Sequence, residues 1–411
     1  MRHEPLMKGA SIEQFSAVVK PTGSKCNMKC QYCFYLHKND LLKQSPQPRM
    51  SDFILELHIK QHIEAQSCSY VDFIWQGGEP TLLGIPYFEK IIKLQRKYKK
   101  KDQDIFNSLQ TNGILIDEKW CKFLKKNNFL VGLSIDGPKN IHDKYRLSNS
   151  GRSTYPKIMN AVKLLKKYDI DFNVLCAVNA DNSKKPLEVY RFIRDEVKPN
   201  VIQFTPVIQK VDFKIAPPIA NNQHLKSDSL EIPKETHPPI VTDWSVKPDY
   251  WGSFLVAIWK EWIEHDFGNV FIENFEDSVA ILLGFGSQKC TSNELCGKGL
   301  AIEHNGDVYS CDHFVYPDYY LGNITKTHQA DIISSIKQRR FGLDKRDKLP
   351  TTCKQCTYLK LCGGECPRNR FTKTPDNKPG LNYLCKGQQT FFKHVIDDIN
   401  ILNNKLKRSV S

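Results

Sequence analysis

The chain has no run of about 18 apolar residues, the length a membrane-crossing helix requires, so no segment is expected to span a bilayer. Its opening residues, MRHEPLMKGASIEQF, lack the apolar core of a secretory signal, and a cytoplasmic protein is expected. Internal repeats and long low-complexity tracts are absent. Zinc-finger, helix-turn-helix and base-stacking signatures are absent too, so the formal net charge of +14 has no nucleic-acid motif to serve. The densest basic stretch, KLQRKYKKK (93–101), continues an amphipathic pattern through Phe88, Ile91, Ile92 and Leu94, and reads as the solvated face of a helix. Neither a nucleic acid nor a membrane is therefore expected as a partner.

What remains is an ordinary globular composition, 40% hydrophobic and 25% charged, in 411 residues, enough for two or three domains. From residue 15 to about 208 short β-rich runs alternate with helical patterns. The strand candidates are FSAVVK, VDFIWQ, DIFNSLQ, FLVGLSID, DFNVLCAV and VIQFTPVI. Alternation of this kind implies an α/β fold with parallel strands. Six units are too few for an eight-stranded barrel, so a partial (β/α)6 TIM-like barrel is expected, with its chemistry on the loops after the strands. Residues 209–247 are polar and proline-rich, and the amphipathic DYWGSFLVAIWKEWIEHD follows. From about residue 290 the elements shorten and cysteines crowd together, which marks a small metal-stapled domain. The expected boundaries are 1–240 for the barrel, 241–289 for a linker and helical segment, and 290–411 for the cysteine-rich domain with a C-terminal helix.

Cysteine is the abundant signal, with 14 in the chain. In a reducing compartment such a set reads as metal ligation. Cys68, Cys121 and Cys176 stand singly among apolar neighbours and read as packed hydrophobes. The other eleven divide into three and eight. Cys26-x3-Cys30-x2-Cys33 follows the first strand and is one thiolate short of the four that close a structural zinc site or an ordinary iron–sulfur cluster. A zinc completed by a distant histidine such as His37 is one reading. A four-iron cluster whose fourth iron is left open to a small molecule is the other.

C-x3-C-x2-C after the first strand of a partial barrel resembles the radical S-adenosylmethionine (SAM) enzymes, in which the open iron chelates SAM and one electron cleaves it to a 5′-deoxyadenosyl radical. WQGGEP (75–80), SLQTNG (108–113) and LSIDGPKNIHDKYR (133–146) end the next three strands. The resemblance implies SAM contacts from Gly78 in the GGEP turn, where Gly77 and Gly78 would let backbone approach the ligand. It also implies contacts from Ser134 and Arg146 to the carboxylate and ribose, from the Tyr32 backbone to the adenine, and from Ile208 as apolar cover. Cys296-x9-Gly306-x4-Cys311, Cys353-x2-Cys356-x5-Cys362-x3-Cys366 and Cys385 resemble the SPASM domain, a module with two auxiliary four-iron clusters. Cys290 supplies an eighth ligand. The resemblance implies one cluster on Cys290, Cys296, Cys311 and Cys366 and another on Cys353, Cys356, Cys362 and Cys385, so three [4Fe-4S] clusters in all. Two structural zincs are the alternative. His304 and His313 flank Cys311 but eight cysteines need no histidine, and Tyr35 reads equally as a substrate contact or a core aromatic.

Within that superfamily KPTGSKCNMKCQYCFYL, WQGGEPTLLG, SLQTNGILID and IEHNGDVYSCDHFVYPDYYLGNI resemble anaerobic sulfatase-maturating enzymes over nearly the whole chain. The resemblance implies oxidation of a Cys or Ser in a C/S-x-P-x-R segment of an unfolded or nascent sulfatase to formylglycine. It also implies a carboxylate base and an electron donor such as a flavodoxin or ferredoxin. The family places the base, an Asp after a Phe, ahead of the first auxiliary cysteine. Here that region is IENFEDSVAILLG, where Glu276 takes the place and Asp277 is its neighbour. A second enzyme reading is a SPASM maturase that crosslinks a precursor peptide, although the first strand begins too early for the recognition domain such enzymes often carry. A metal-stapled regulatory or nucleic-acid-binding protein would leave GGEP, Ser134 and Arg146 unexplained.

Overall fold

The computed structural model describes residues 14–45, 47–212 and 240–399. Most of the proline-rich stretch, residues 213–239, lies outside the described residues. All six expected strands form: β1 (Ser16–Lys20), β2 (Tyr70–Trp75), β3 (Asp104–Thr111), β4 (Phe129–Ser134), β5 (Phe172–Val178) and β6 (Val201–Pro206). Six short strands were not anticipated: β7 (Phe271–Ile272), β8 (Gly299–Glu303), β9 (Asp307–Tyr309), β10 (Tyr320–Asn323) and an antiparallel pair, β11 (Thr372–Lys373) and β12 (Pro379–Leu381). The helical patterns appear as α1 (Asp52–Ala65), α2 (Ile85–Tyr98), α3 (Glu118–Lys126), α4 (Tyr155–Lys167), α5 (Pro186–Arg191) and α6 (Pro248–Glu261), followed by α7 (Glu273–Leu282) and α8 (Cys385–Asp397). The chain is thus an α/β fold with a mostly parallel sheet. No helix among the described residues is long and apolar enough to cross a membrane.

Two compact units interleave along the sequence. The first takes residues up to 135, then 142–173 and 296–343. In it β1, β2, β3 and β4 pair in parallel, with Val18 opposite Ile74, Phe73 opposite Asn107 and Leu109 opposite Val131. Strand alternation sends Val19, Phe73, Trp75, Leu109, Val131 and Leu133 into a core closed by Phe88, Trp120 and Leu124 from α2 and α3. The Trp75 indole N–H inside that core donates to Asn107 Oδ1 at 2.9 Å, so its one polar atom is satisfied. Helix α1 starts where Ser51 Oγ accepts from the Ile54 amide, and α3 where Asp117 accepts from the Trp120 amide at 2.8 Å. Helix α2 buries Phe88, Ile91 and Leu94, while Lys97 pairs with Glu56 at 2.7 Å on the outside, so the basic run is a solvated helix face. On its other edge β1 pairs in parallel with β8, and β8, β9 and β10 form an antiparallel meander.

The second unit takes residues 136–141, 174–295 and 344 onward. There β5, β6 and β7 pair in parallel. An aromatic core joins Trp251, Phe254 and Trp259 of α6 to Phe275 of α7 and Phe391 of α8. Helices α6 and α8 cross with glycine facing glycine. A Cβ on Gly252 would lie 2.8 Å from the Gly387 Cα, so only the missing side chains allow that approach.

Cys121 and Cys176 are buried as expected. Cys68 is a correction: it is partly exposed, with its Sγ 2.9 Å from the Tyr70 carbonyl oxygen at the entry to β2, because it sits between Ser67 and Ser69 in the connection after α1 has ended.

Candidate functional site

In the first unit the three-cysteine loop runs from the end of β1 through a chain of tight turns. Cys33 N–H donates to the Cys30 carbonyl at 3.0 Å and Leu36 N–H to the Cys33 carbonyl at 3.3 Å. The loop is tied along residues 145–149: Lys29 N–H donates to Leu147 O at 2.9 Å, Gln31 N–H to Tyr145 O at 3.2 Å, and Asn149 Nδ2 to Cys26 O at 3.1 Å. From the other side, Gly78 N–H donates to Gly23 O at 2.8 Å and Glu79 N–H to Lys25 O at 2.9 Å. A Cβ on Gly78 would meet the Lys25 carbonyl oxygen at 2.0 Å. The close pass of the cysteine loop is by itself enough to require glycine there.

Glu79, which sequence reasoning passed over within WQGGEP, ties β2 to β3. It is fully buried and accepts from Thr81 N at 3.0 Å, Thr81 Oγ1 at 2.6 Å, Thr111 Oγ1 at 2.8 Å and Asn112 N at 2.8 Å. Burial pushes its carboxyl pKa up, and the four donors oppose that shift. Asn112 in turn donates to Asn27 Oδ1 at 2.7 Å and to Cys26 Sγ at 3.6 Å, while Met28 N–H lies 3.4 Å from the same sulfur. Burial pushes the Cys26 thiol up to about 12 and raises Cys33 as well. These thiols hold their protons at neutral pH until a metal displaces them.

Beside the loop, the Arg146 guanidinium lies over the Tyr32 ring at 5.6 Å, and Tyr32 packs on Tyr145 at 5.8 Å. At the ends of β3 and β4, Gln110 Nε2 donates to Ser134 Oγ at 3.0 Å. The first unit therefore holds Tyr32, Gly78, Ser134 and Arg146 together with the three cysteines, whereas Ile208 belongs to the second unit, where it is buried after β6.

A buried polar network lies beneath the loop and was not anticipated. Lys20, wholly buried, pairs with Asp312 and lies 4.7 Å over the Tyr35 ring. The Tyr35 hydroxyl donates to buried Glu303, whose second oxygen accepts from Gln44 Nε2 at 2.9 Å. Tyr35 is accordingly a core aromatic. His304 lies 3.5 Å from Glu303, and the His313 ring sits edge-on to Phe34.

Four of the eight C-terminal cysteines gather within the second unit. Cys353 lies on the turn Thr351–Lys354, Cys362 ends the turn Leu359–Cys362, and Cys385 opens α8. Burial pushes Cys362 up to about 12 and Cys385 up to about 11, and a charge on Cys353 would raise both further, so the thiols face a common space. Cys356 acts on Cys353 and Cys385 in the same way. The Cys290 loop is held by Lys345, wholly buried, whose Nζ donates to the carbonyls of Cys290 at 2.6 Å and Thr291 at 2.8 Å. Arg370 fastens the Cys366 side, donating to Gly364 O at 2.8 Å and Glu365 O at 3.2 Å. Cys366 is buried in that unit, and Cys296 and Cys311 lie in the first unit. Among the described residues no three Cys, His, Asp or Glu side chains are placed to hold a single metal ion. The donors are all cysteines, the ligand type that iron–sulfur clusters take.

The two carboxylates of α7 differ sharply. Asp277 is buried, and its oxygens accept from Ser287 Oγ at 2.8 and 3.0 Å, Gln288 N at 2.8 Å and Lys289 N at 3.2 Å. It fastens the segment leading to Cys290. Glu276 is half-buried, has no hydrogen-bond or ion-pair partner among the described residues, and burial alone raises its pKa. One residue of helix, about 100° of rotation, separates a spent carboxylate from an available one.

The chain is similar to known proteins over nearly its whole length. Residues 21–193 match the Radical SAM superfamily, and residues 294–357 match SPASM, an iron–sulfur cluster-binding domain. A serine-type anaerobic sulfatase-maturating enzyme of Bacteroides thetaiotaomicron is 40% identical, the match covering 97% of this chain and 95% of that protein. A cysteine-type anaerobic sulfatase-maturating enzyme of Clostridium perfringens is 36% identical, covering 95% and 98%. The solved structure of native anSMEcpe with bound AdoMet and Cp18Cys peptide superposes with a TM-score of 0.79 at 36% identity, covering 95% of this chain and 99% of that one.

Proposed function

Because the chain belongs to the anaerobic sulfatase-maturating enzymes of the radical SAM superfamily, we propose that it oxidises a Cys or Ser in a C/S-x-P-x-R segment of a sulfatase polypeptide to formylglycine. The observation that carries this reading is the Cys26–Cys30–Cys33 loop, one ligand short of four and backed by Arg146 stacked on Tyr32. When bound, the clusters and SAM supply the radical that removes a β-hydrogen and the sink for the remaining electron. The protein's own residues do the rest. Arg146 and Ser134 would hold the SAM carboxylate and ribose and the Tyr32 and Gly78 backbones would meet the cofactor, with Ile208 carried over from the family resemblance as apolar cover. Asn112 and Met28 N–H groups dampen charge on the Cys26 sulfur. Cys290, Cys296, Cys311 and Cys366 hold one auxiliary cluster, and Cys353, Cys356, Cys362 and Cys385 the other. Glu276 takes the thiol or hydroxyl proton of the target as oxidation proceeds. The target loses a hydrogen atom, a proton and an electron, and becomes an aldehyde, directly from Ser or by hydrolysis of a thioaldehyde from Cys.

The protein partner beyond the substrate is an electron carrier such as a flavodoxin or ferredoxin, and the reaction takes place in the cytoplasm. Crosslinking of a precursor peptide is the weaker reading, since full-length relatives at 30–40% identity carry sulfatase-maturating names. The test is anaerobic incubation with SAM, dithionite and synthetic C-x-P-x-R and S-x-P-x-R peptides, followed by mass spectrometry. Formylglycine in at least one peptide is expected. SAM cleavage without aldehyde in either peptide refutes the assignment.

A further inference from the structure

Half of the net charge sits in a short part of the chain. Residues 344–393 carry eleven lysines and arginines against four acidic residues, +7 of the whole protein's +14. The same segment holds Cys353, Cys356, Cys362 and Cys385, and Cys356 is partly exposed between exposed Gln355 and Thr357. Next to these cysteines opens a groove of about 670 Å³. Its apolar lining is Leu349 and Leu359, and its cations are Arg346, Lys354 and Lys360. The acidic lining residues, Asp347 and Glu294, are taken up by Arg346 at 2.7 and 3.5 Å. Lys354 reaches only the Asp347 carbonyl, at 3.3 Å, and Lys360 has no carboxylate partner among the described residues. Two ammonium groups thus flank an apolar floor within two residues of Cys353, Cys356 and Cys362.

We propose that this groove docks an acidic, flavin-bearing one-electron carrier protein. The inference rests on the reaction proposed above. In each turnover one electron must be supplied for SAM cleavage, while the target's β-carbon gives up a hydrogen atom, Glu276 takes a proton and one electron leaves the target; a carrier whose flavin gives up the first electron and takes back the second keeps the balance. Charge complementarity selects an acidic partner and speeds its encounter. The apolar floor suits the exposed hydrocarbon edge of a flavin, and a small redox encounter needs only a modest interface.

The test measures binding of the cluster-loaded enzyme to an oxidised bacterial flavodoxin by calorimetry at two salt concentrations. Binding that weakens with salt is expected, as is an increase in Kd of at least tenfold for the Lys354→Glu/Lys360→Glu variant. Lys354→Gln/Lys360→Gln should fall between that variant and the wild type. Lys354 and Lys360 are both exposed, so iron content, thermal stability and dithionite-driven SAM cleavage should stay at wild-type levels. Lys93→Glu/Lys101→Glu makes the same change in net charge on exposed positions of the first unit and should keep Kd within twofold. The proposal is overturned by absence of flavodoxin binding to the wild type, by equal losses in both reversal variants, or by a ferredoxin binding there in its place. Failure of peptide oxidation under dithionite is a separate result that sinks the proposed reaction, whereas the Kd comparison decides the groove.

Discussion

Neutralising the two α7 carboxylates one at a time should separate chemistry from architecture. Glu276→Gln keeps the shape of the side chain and removes the proton acceptor. Loss of a general base costs about 10²–10⁴-fold in rate, so formylglycine should fall by that factor while 5′-deoxyadenosine still forms. Burial raises the folded-state pKa of Glu276 above its unfolded value. The native state therefore holds that proton more tightly, and stability declines as pH rises through the raised pKa. At neutral pH the unpaired charge opposes folding, so the Gln variant should melt at the wild-type temperature or above it. The same shift predicts that wild-type oxidation falls as pH drops through the raised pKa and the base becomes protonated. Asp277→Asn should do the reverse. It gives up charge-assisted acceptance worth about 1.5–3 kcal/mol, and Asp277→Ala leaves the Gln288 amide without its acceptor at about 1–3 kcal/mol, while the Lys289 amide keeps Ser287 Oγ at 2.9 Å. Both should melt early yet retain coupled oxidation per folded, cluster-loaded molecule. Coupled assays of 5′-deoxyadenosine and aldehyde, with melting curves, decide the matter. An Asp277→Asn enzyme of normal stability that cleaves SAM without making aldehyde would refute the reasoning.

Replacing Cys26, Cys30 and Cys33 together by Ala should lower bound iron by about one third, if each of three clusters holds four irons, and abolish SAM cleavage with the fold retained by circular dichroism. Since burial holds Cys26 up to about 12, loading iron into apo protein should release protons and proceed faster at higher pH, which a pH-stat can follow. Arg146→Ala should weaken SAM binding by about 1.5–3 kcal/mol, read as Kd by equilibrium dialysis. Gly78→Ala should displace the cysteine loop, because its Cβ would lie 2.0 Å from Lys25 O, and the loss should appear as reduced iron occupancy of the first cluster.

Much of the fold was legible because it rests on local patterns. The six strand candidates and the helices between them follow from apolar periodicity, which is a property of neighbours in sequence. The short β8 was not legible, since GLAIE gains its role only by pairing along the β1 edge. That pairing carries residues 296–343 into the first unit, a partnership between distant segments that local patterns do not reveal. Glu79 shows the same limit within a motif. WQGGEP marks a turn beside a ligand, yet its carboxylate matters because Thr111 and Asn112, some thirty positions onward, close around it.

The sequence alone narrowed the chemistry: eleven cysteines in fixed spacings mark metal ligation, and their resemblance to radical SAM and SPASM motifs implies clusters rather than zinc. The same resemblance narrowed the proposed base to two adjacent carboxylates. Only the tertiary structure separated them, since a carboxylate is available or spent according to which donors the fold brings to it. Ser287 and two backbone amides consume Asp277, and nothing among the described residues reaches Glu276.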